Sequence, residues 1–123
     1  MTAEFLADVD PVLLVGIGGV FGALSRHVLG ERIEAGTVDT LAVNVLGSFV
    51  LGALVAAPVD GPLVAFLGTG FCGAFTTFST FAFETVRLAE TGEPVRALWN
   101  AVVNLAGAIL AVALGAGLVT LVG

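Results

Sequence analysis

The fold class this sequence predicts is an all-α membrane protein of four transmembrane helices, and three observations carry that prediction. Only 11% of the 123 residues are charged and 58% are hydrophobic, whereas an ordinary soluble domain carries about 25% charged residues. The mean hydropathy is +1.10. Three uncharged runs, Thr40–Val59 (20 residues), Gly61–Phe83 (23) and Ala97–Gly123 (27), are each long enough to cross a hydrocarbon core of roughly 30 Å as a helix.

Span 1 is placed at about residues 11–29. Pro11–Ser25 is uncharged for 15 residues, and extension to Leu29 gives 19, with Arg26 and His27 snorkelling from the last turn. No lysine or arginine precedes Arg26, so this run lacks the positive segment of a cleaved signal. Span 2 covers about 40–59, and "APVDGP" (57–62) reads as a tight turn into span 3 at about 62–84. Span 4 covers about 97–121. With short connections throughout, residues 1–123 form a single four-helix domain, a multi-pass protein of the cell membrane whose first partner is the lipid bilayer.

Small residues mark the packing faces. Gly18-x-x-x-Gly22 in span 1 and Gly107-x-x-x-Ala111-x-x-x-Gly115 in span 4 let helix backbones approach closely in lipid. So few helices with such faces suggest an oligomer. Cys72 is the single cysteine, which excludes an internal disulfide and leaves it a small packing residue. Nothing in the chain resembles a nucleic-acid patch, a Cys/His metal cluster or a catalytic dyad, so no enzyme is expected. The net charge of −6, with ten acids against four arginines, fits either a small sample of loop residues or a high-salt habitat.

The polar residues point to function. Thr40, Asn44 and Ser48 fall at i, i+4 and i+8 on span 2, and Asn100 and Asn104 are four apart on span 4, one helical face each. An asparagine in hydrocarbon must face protein or water. Interhelical hydrogen bonding explains one such residue. Two stripes beside a hydroxyl-rich third span favour a polar pathway, neutral and rich in donors, for a small, strongly hydrated ion.

Span 3 holds the densest signal, "GFCGAFTTFSTFAFE" (70–84). Gly68, Gly70 and Gly73 weaken helix propensity, and Thr76-Thr77 adds β-branched residues with competing hydroxyls. A broken helix is therefore expected near 73–77, exposing backbone groups at mid-bilayer as transporters do. Carbonyl oxygens there would suit a hard cation such as Na⁺. Phe78 and Phe81 follow on one face, and the positive edges of their rings could assist an anion.

Together, "GGVFGALSRH", "TLAVNVLGSF" and "GFCGAFTTFSTFAFE" resemble the Fluc (CrcB) family of fluoride channels along nearly the whole chain. The resemblance implies an antiparallel dimer with two fluoride pores and one structural, untransported Na⁺ on the dimer axis. The Na⁺ ligands would be the backbone carbonyls of Gly73 and Thr76 from both subunits. Phe78 and Phe81 would be the aromatic pore residues, Asn44 the amide lining the path, and Ser79 and Thr80 nearby hydroxyls. Glu84 would stand near a pore mouth, and Arg26 would be structural. His27 departs from the tyrosine usual in relatives. Asn100 and Asn104 stand where relatives often carry tyrosine and serine, and Ala108 and Leu110 replace expected hydroxyls. Asn104 could supply a donor in their place. On this reading Asn44→Leu lowers flux without preventing dimer assembly, and Gly73→Val disrupts the break through lost backbone freedom.

The implied function is passive export of fluoride from the cytoplasm, which reduces its toxicity. The alternative is a small proton-coupled four-helix multidrug exporter, which needs a titratable group at mid-membrane, and Glu84 lies near the end of span 3. A non-transporting assembly subunit is a third reading. All four arginines (Arg26, Arg32, Arg87, Arg96) lie toward one side, and the positive-inside rule makes that side cytoplasmic. Such a bias opposes dual insertion of one chain, so the dimer is expected to be a heterodimer with an oppositely oriented homologue rather than a homodimer.

Overall fold

A computed structural model describes residues 2–33 and 36–123, and the described residues contain helices but no strands. A short helix α1 (Thr2–Ala7), which the sequence did not announce, precedes α2 (Pro11–Arg32). Then come α3 (Gly36–Ala56), a single turn α4 (Gly61–Leu63), a π-helical segment Val64–Cys72, α5 (Gly73–Phe75), α6 (Ser79–Glu90) and α7 (Pro94–Val122). Four segments are long and apolar enough to span a membrane: Pro11–Arg32, Gly36–Ala56, Gly61–Glu90 and Pro94–Val122.

The helices outrun the expected spans because loss of charge and loss of helix are different events. Arg32 lies in the last turn of α2 and Asp39 in the first turn of α3, the ends where the helix dipole favours those charges. Conversely α3 stops at Ala56 rather than Val59, since the residue before Pro58 is biased away from helix. Local chemistry fixes the other ends. Asp10 caps α2 by accepting the Val12 N–H at 2.9 Å, with Pro11 in the first turn. Gly92, at φ 85°, closes α6, and the Glu93 N–H returns to the Leu88 carbonyl at 2.9 Å.

Two backbone-close pairings build the bundle. A Cβ on Gly18 or Gly22 would collide with the carbonyl oxygens of Phe66 and Phe71 respectively. These two phenylalanines are five residues apart, one turn of the π segment, so its wider turn sets both carbonyls toward α2. On the other side, Gly115 of α7 lies on the Phe49 carbonyl and Gly52 of α3 on that of Val112. The packing reading of both small-residue stripes is thus borne out. Large apolar side chains such as Leu13, Phe21, Val55 and Leu114 point outward, as lipid-facing residues do.

Between α5 and α6, residues 76–78 are not helical, and Thr76 is extended at φ −87°, ψ 165°. Gly73, expected within a break, is instead helical at φ −60°, ψ −38°. It uses no conformation reserved for glycine, so lost backbone freedom is the wrong reason to expect harm from Gly73→Val. Gly68 and Gly70 are likewise packing positions: Gly70 lies 3.1 Å, measured from a built Cβ, from the Gly18 Cα. The departure from helix comes from the threonines.

Candidate functional site

The non-helical link at 76–78 is held by Asn44, one of the span 2 polar residues. Its Oδ1 accepts the Thr77 N–H at 2.8 Å and its Nδ2 donates to the Thr77 carbonyl at 3.0 Å. Both backbone groups of the residue that has left the helix are thereby paired, as membrane depth demands. The same Nδ2 donates its other hydrogen to Asn104 Oδ1 on α7 at 2.9 Å. Asn44 thus joins three spans and has no donor to spare.

Thr77, expected from the sequence only to weaken the helix and not to belong to the site, is the second hub. Its hydroxyl accepts the Thr80 N–H at 3.1 Å, capping α6, and donates to Thr80 Oγ1 at 3.0 Å. Its Oγ1 also lies 3.4 Å from Ser79 Oγ. The available signal was a threonine three residues ahead of an N–H that needs a cap. These bonds have a consequence for span 3. In an unbroken helix the Thr77 N–H would serve the Gly73 carbonyl and the Thr80 N–H the Thr76 carbonyl. Here both amides are taken elsewhere, so neither carbonyl receives the bond from four residues on.

An open cavity of about 330 Å³ adjoins this hub. Its lining brings together Asn44, Ser48, Gly73, Thr76, Phe78, Phe81 and Asn104, with Cys72 and Ala108 among its smaller walls. Phe78 is 78% exposed, and its ring centroid lies 5.8 Å from that of Phe81, tilted by 57°. Asn104 is buried at 4% exposure, and its Nδ2 has no hydrogen-bond partner among the described residues.

Other expected residues lie outside the cavity. Ser79 and Thr80 stand beyond the link, and Thr80 Oγ1 accepts from Arg26 at 2.9 Å. Arg26 therefore ties span 1 to α6 through a hydroxyl. Glu84 lies beside Gly36 at the start of α3, 3.6 Å from a built Cβ, with its Oε1 buried and unpartnered among the described residues. The two asparagines of span 4 part company: Asn100 donates to Thr85 Oγ1 at 3.0 Å. Thr40 is also diverted, bonding the Gly36 carbonyl at 3.4 Å and Asp39 at 3.3 Å. His27 pairs with Glu31 at 3.3 Å near the end of α2. Among the described residues no group of three or more His, Cys, Asp or Glu could hold a metal, so a cation here would have to use backbone or neutral side-chain oxygens.

Four segments long and apolar enough to cross a membrane, three of which line one open cavity, define a multi-pass helical membrane protein. The family described as "CrcB-like protein, Camphor Resistance (CrcB)" matches residues 13–116. The chain is 50% identical over 106 residues to fluoride-specific ion channel FluC 2 of Natronomonas pharaonis, covering 86% of this chain and 91% of that one. It is 50% identical over 111 residues to fluoride-specific ion channel FluC 2 of Haloarcula marismortui (89% and 93% covered). It is 47% identical over 114 residues to fluoride-specific ion channel FluC 1 of Halobacterium salinarum (88% and 92%). The chain belongs to the CrcB family, as its motifs indicate, and these relatives are named as channels rather than enzymes.

Proposed function

We propose that this chain is a subunit of a fluoride-specific channel of the cell membrane, through which fluoride leaves the cytoplasm passively. The observation that carries the reading is the likeness, over most of the chain, to relatives named fluoride-specific ion channels. The cavity agrees with it. Its walls include the rings of Phe78 and Phe81 and the amides of Asn44 and Asn104, and Glu84 and Arg26 do not line it. Hydrogen fluoride crosses a membrane as the neutral acid and dissociates at cytoplasmic pH, so only the anion needs a pore. An inside-negative potential then drives the anion outward by about 2.3 kcal/mol per charge per 100 mV.

In this reading Asn44, Phe78, Phe81, Ser79, Thr80 and Asn104 belong to the fluoride path or its frame. Glu84 stands at a pore mouth, and Arg26 holds Thr80 in place. The third span is discontinuous at residues 76–78. A structural Na⁺ fits the chain's own donors: the Gly73 and Thr76 carbonyls lack their helical partners, and no other group lies within 4 Å of a Cβ built on Gly73. Supplied by two subunits, such oxygens would neutralise a hard cation's lost hydration and lock the dimer.

The assembly is an antiparallel dimer. The arginine bias favours pairing with an oppositely oriented homologue, and the numbered names FluC 1 and FluC 2 among relatives support paired subunits. Fluoride efflux from liposomes, with chloride as control, tests function and assembly together. Fluoride but not chloride should leave when this chain is reconstituted with a homologous partner. Efflux from the chain alone, inserted both ways, would replace the heterodimer by a dual-topology homodimer. Absence of fluoride efflux from every assembly would reject the channel.

A further inference from the structure

We infer that Gly47 of α3 is a positioning residue for the Thr76 carbonyl, one of the backbone oxygens offered to Na⁺. The inference rests on the cation reading above and deepens it. Thr76 opens the link, and its side chain is fixed at two points. Its N–H and its hydroxyl both donate to the Cys72 carbonyl, at 3.0 and 2.9 Å. The rotamer that makes the hydroxyl bond also fixes the methyl group, which is sent toward α3. There it occupies the place of the side chain that Gly47 lacks. A Cβ built on Gly47 would collide with Thr76 Cγ2 and lie 3.3 Å from Phe75 Cδ2. Gly47 is buried within a continuous helix, so the glycine serves this close approach and not a turn.

Asn44 and Gly47 are three apart on α3 and meet the link from the same face. The Asn44 Oδ1 accepts the Thr77 N–H at 2.8 Å. The Thr76–Thr77 peptide is trans, so its carbonyl points opposite to that N–H, away from Asn44. The amide that would meet this carbonyl in a helix is taken, since the Thr80 N–H donates to Thr77 Oγ1 at 3.1 Å. Asn44 therefore sets the direction of the peptide plane, and Gly47 sets how close to α3 the plane stands. An added Cβ at Gly47 leaves Thr76 two ways out. It can turn and lose the hydroxyl bond to Cys72, or it can carry the link and its carbonyl away from α3. A bound ion tolerates displacement of its ligands by no more than about 0.5 Å, so either course weakens the cation site.

Gly47→Ala, alone and combined with Thr76→Ser, tests this by Na⁺ titration of the thermal midpoint. The assembly is held in detergent with a homologous partner, and potassium chloride keeps the ionic strength constant. Wild type should unfold at a higher temperature as Na⁺ is added. Gly47→Ala should need about tenfold more Na⁺ or more for the same rise, the scale of an overpacked contact. Thr76→Ser keeps the hydroxyl and deletes the methyl, so the double variant should return to the Na⁺ requirement of Thr76→Ser alone. If Gly47→Ala by itself does not fold, recovery of a folded, Na⁺-responsive assembly by Thr76→Ser upholds the fit. A lowered midpoint with the wild-type Na⁺ requirement would make Gly47 a packing residue and overturn the inference. A double variant that does not regain the response of Thr76→Ser would overturn it too, and both results leave the cation site standing. A wild-type assembly indifferent to Na⁺, with or without the partner, would remove the cation reading and this inference with it.

Discussion

Asn44→Leu is expected to abolish fluoride conduction and to weaken the folded subunit at the same time. Leucine fills the space but leaves the Thr77 N–H, the Thr77 carbonyl and Asn104 Oδ1 without their partner. Each orphaned buried group costs about 1 kcal/mol or more, so a loss on the order of 3 kcal/mol is expected. The effect falls where the backbone of span 3 has left the helix, so the link itself should fray. The structure therefore replaces the simpler expectation of a pore donor lost from an intact assembly. Asn44→Asp, which keeps an acceptor for the Thr77 N–H, should unfold at a temperature between the two. Thermal unfolding in detergent checks this, and a wild-type midpoint for the leucine variant would return Asn44 to the role of a mere lining donor.

Gly115→Val should be as damaging, for a reason unrelated to conduction. A Cβ at Gly115 meets the Phe49 carbonyl and lies 3.0 Å from the Ala53 amide nitrogen. Neither is a side chain that can swing aside. Helices α3 and α7 must separate, losing dispersion contacts along the seam that Gly52 and Val112 continue. Overpacking of this kind costs about 3 kcal/mol, the upper end for such changes. The control lies two residues on: a Cβ at Gly117 meets nothing within 4 Å. Gly117→Val should therefore leave the thermal midpoint near wild type, and equal losses in both variants would show that the seam is not where the stability lies.

Much of this was legible in the sequence because lipid imposes a simple code. Uncharged length announces a span, and small residues four apart announce a close helix pair. Asn44 and Asn104 could be placed on polar faces by spacing alone. What spacing could not give is the partner. Asn100 and Asn104 share a face, yet one bonds Thr85 on α6 and the other Asn44 on α3, because α7 passes α6 before it reaches the link. The saturation of Asn44 was hidden for the same reason, since it depends on where the Thr77 backbone turns. Gly73 misled through its propensity: low helix preference marks a position where a helix can fail, not where it does. The π segment brings Phe66 and Phe71 onto two glycines of another helix, a long-range pairing that no local signal encodes.

A fluoride-selective, passive pore to which this chain contributes, as proposed above, has a definite electrical signature. Its most direct measurement is the reversal potential of the reconstituted assembly in a planar bilayer, with fluoride high on one side and chloride high on the other. The current should reverse at the fluoride equilibrium potential and be indifferent to the chloride and proton gradients. A reversal potential that tracks chloride or protons, or a bilayer that carries no fluoride current with any homologous partner present, would contradict it.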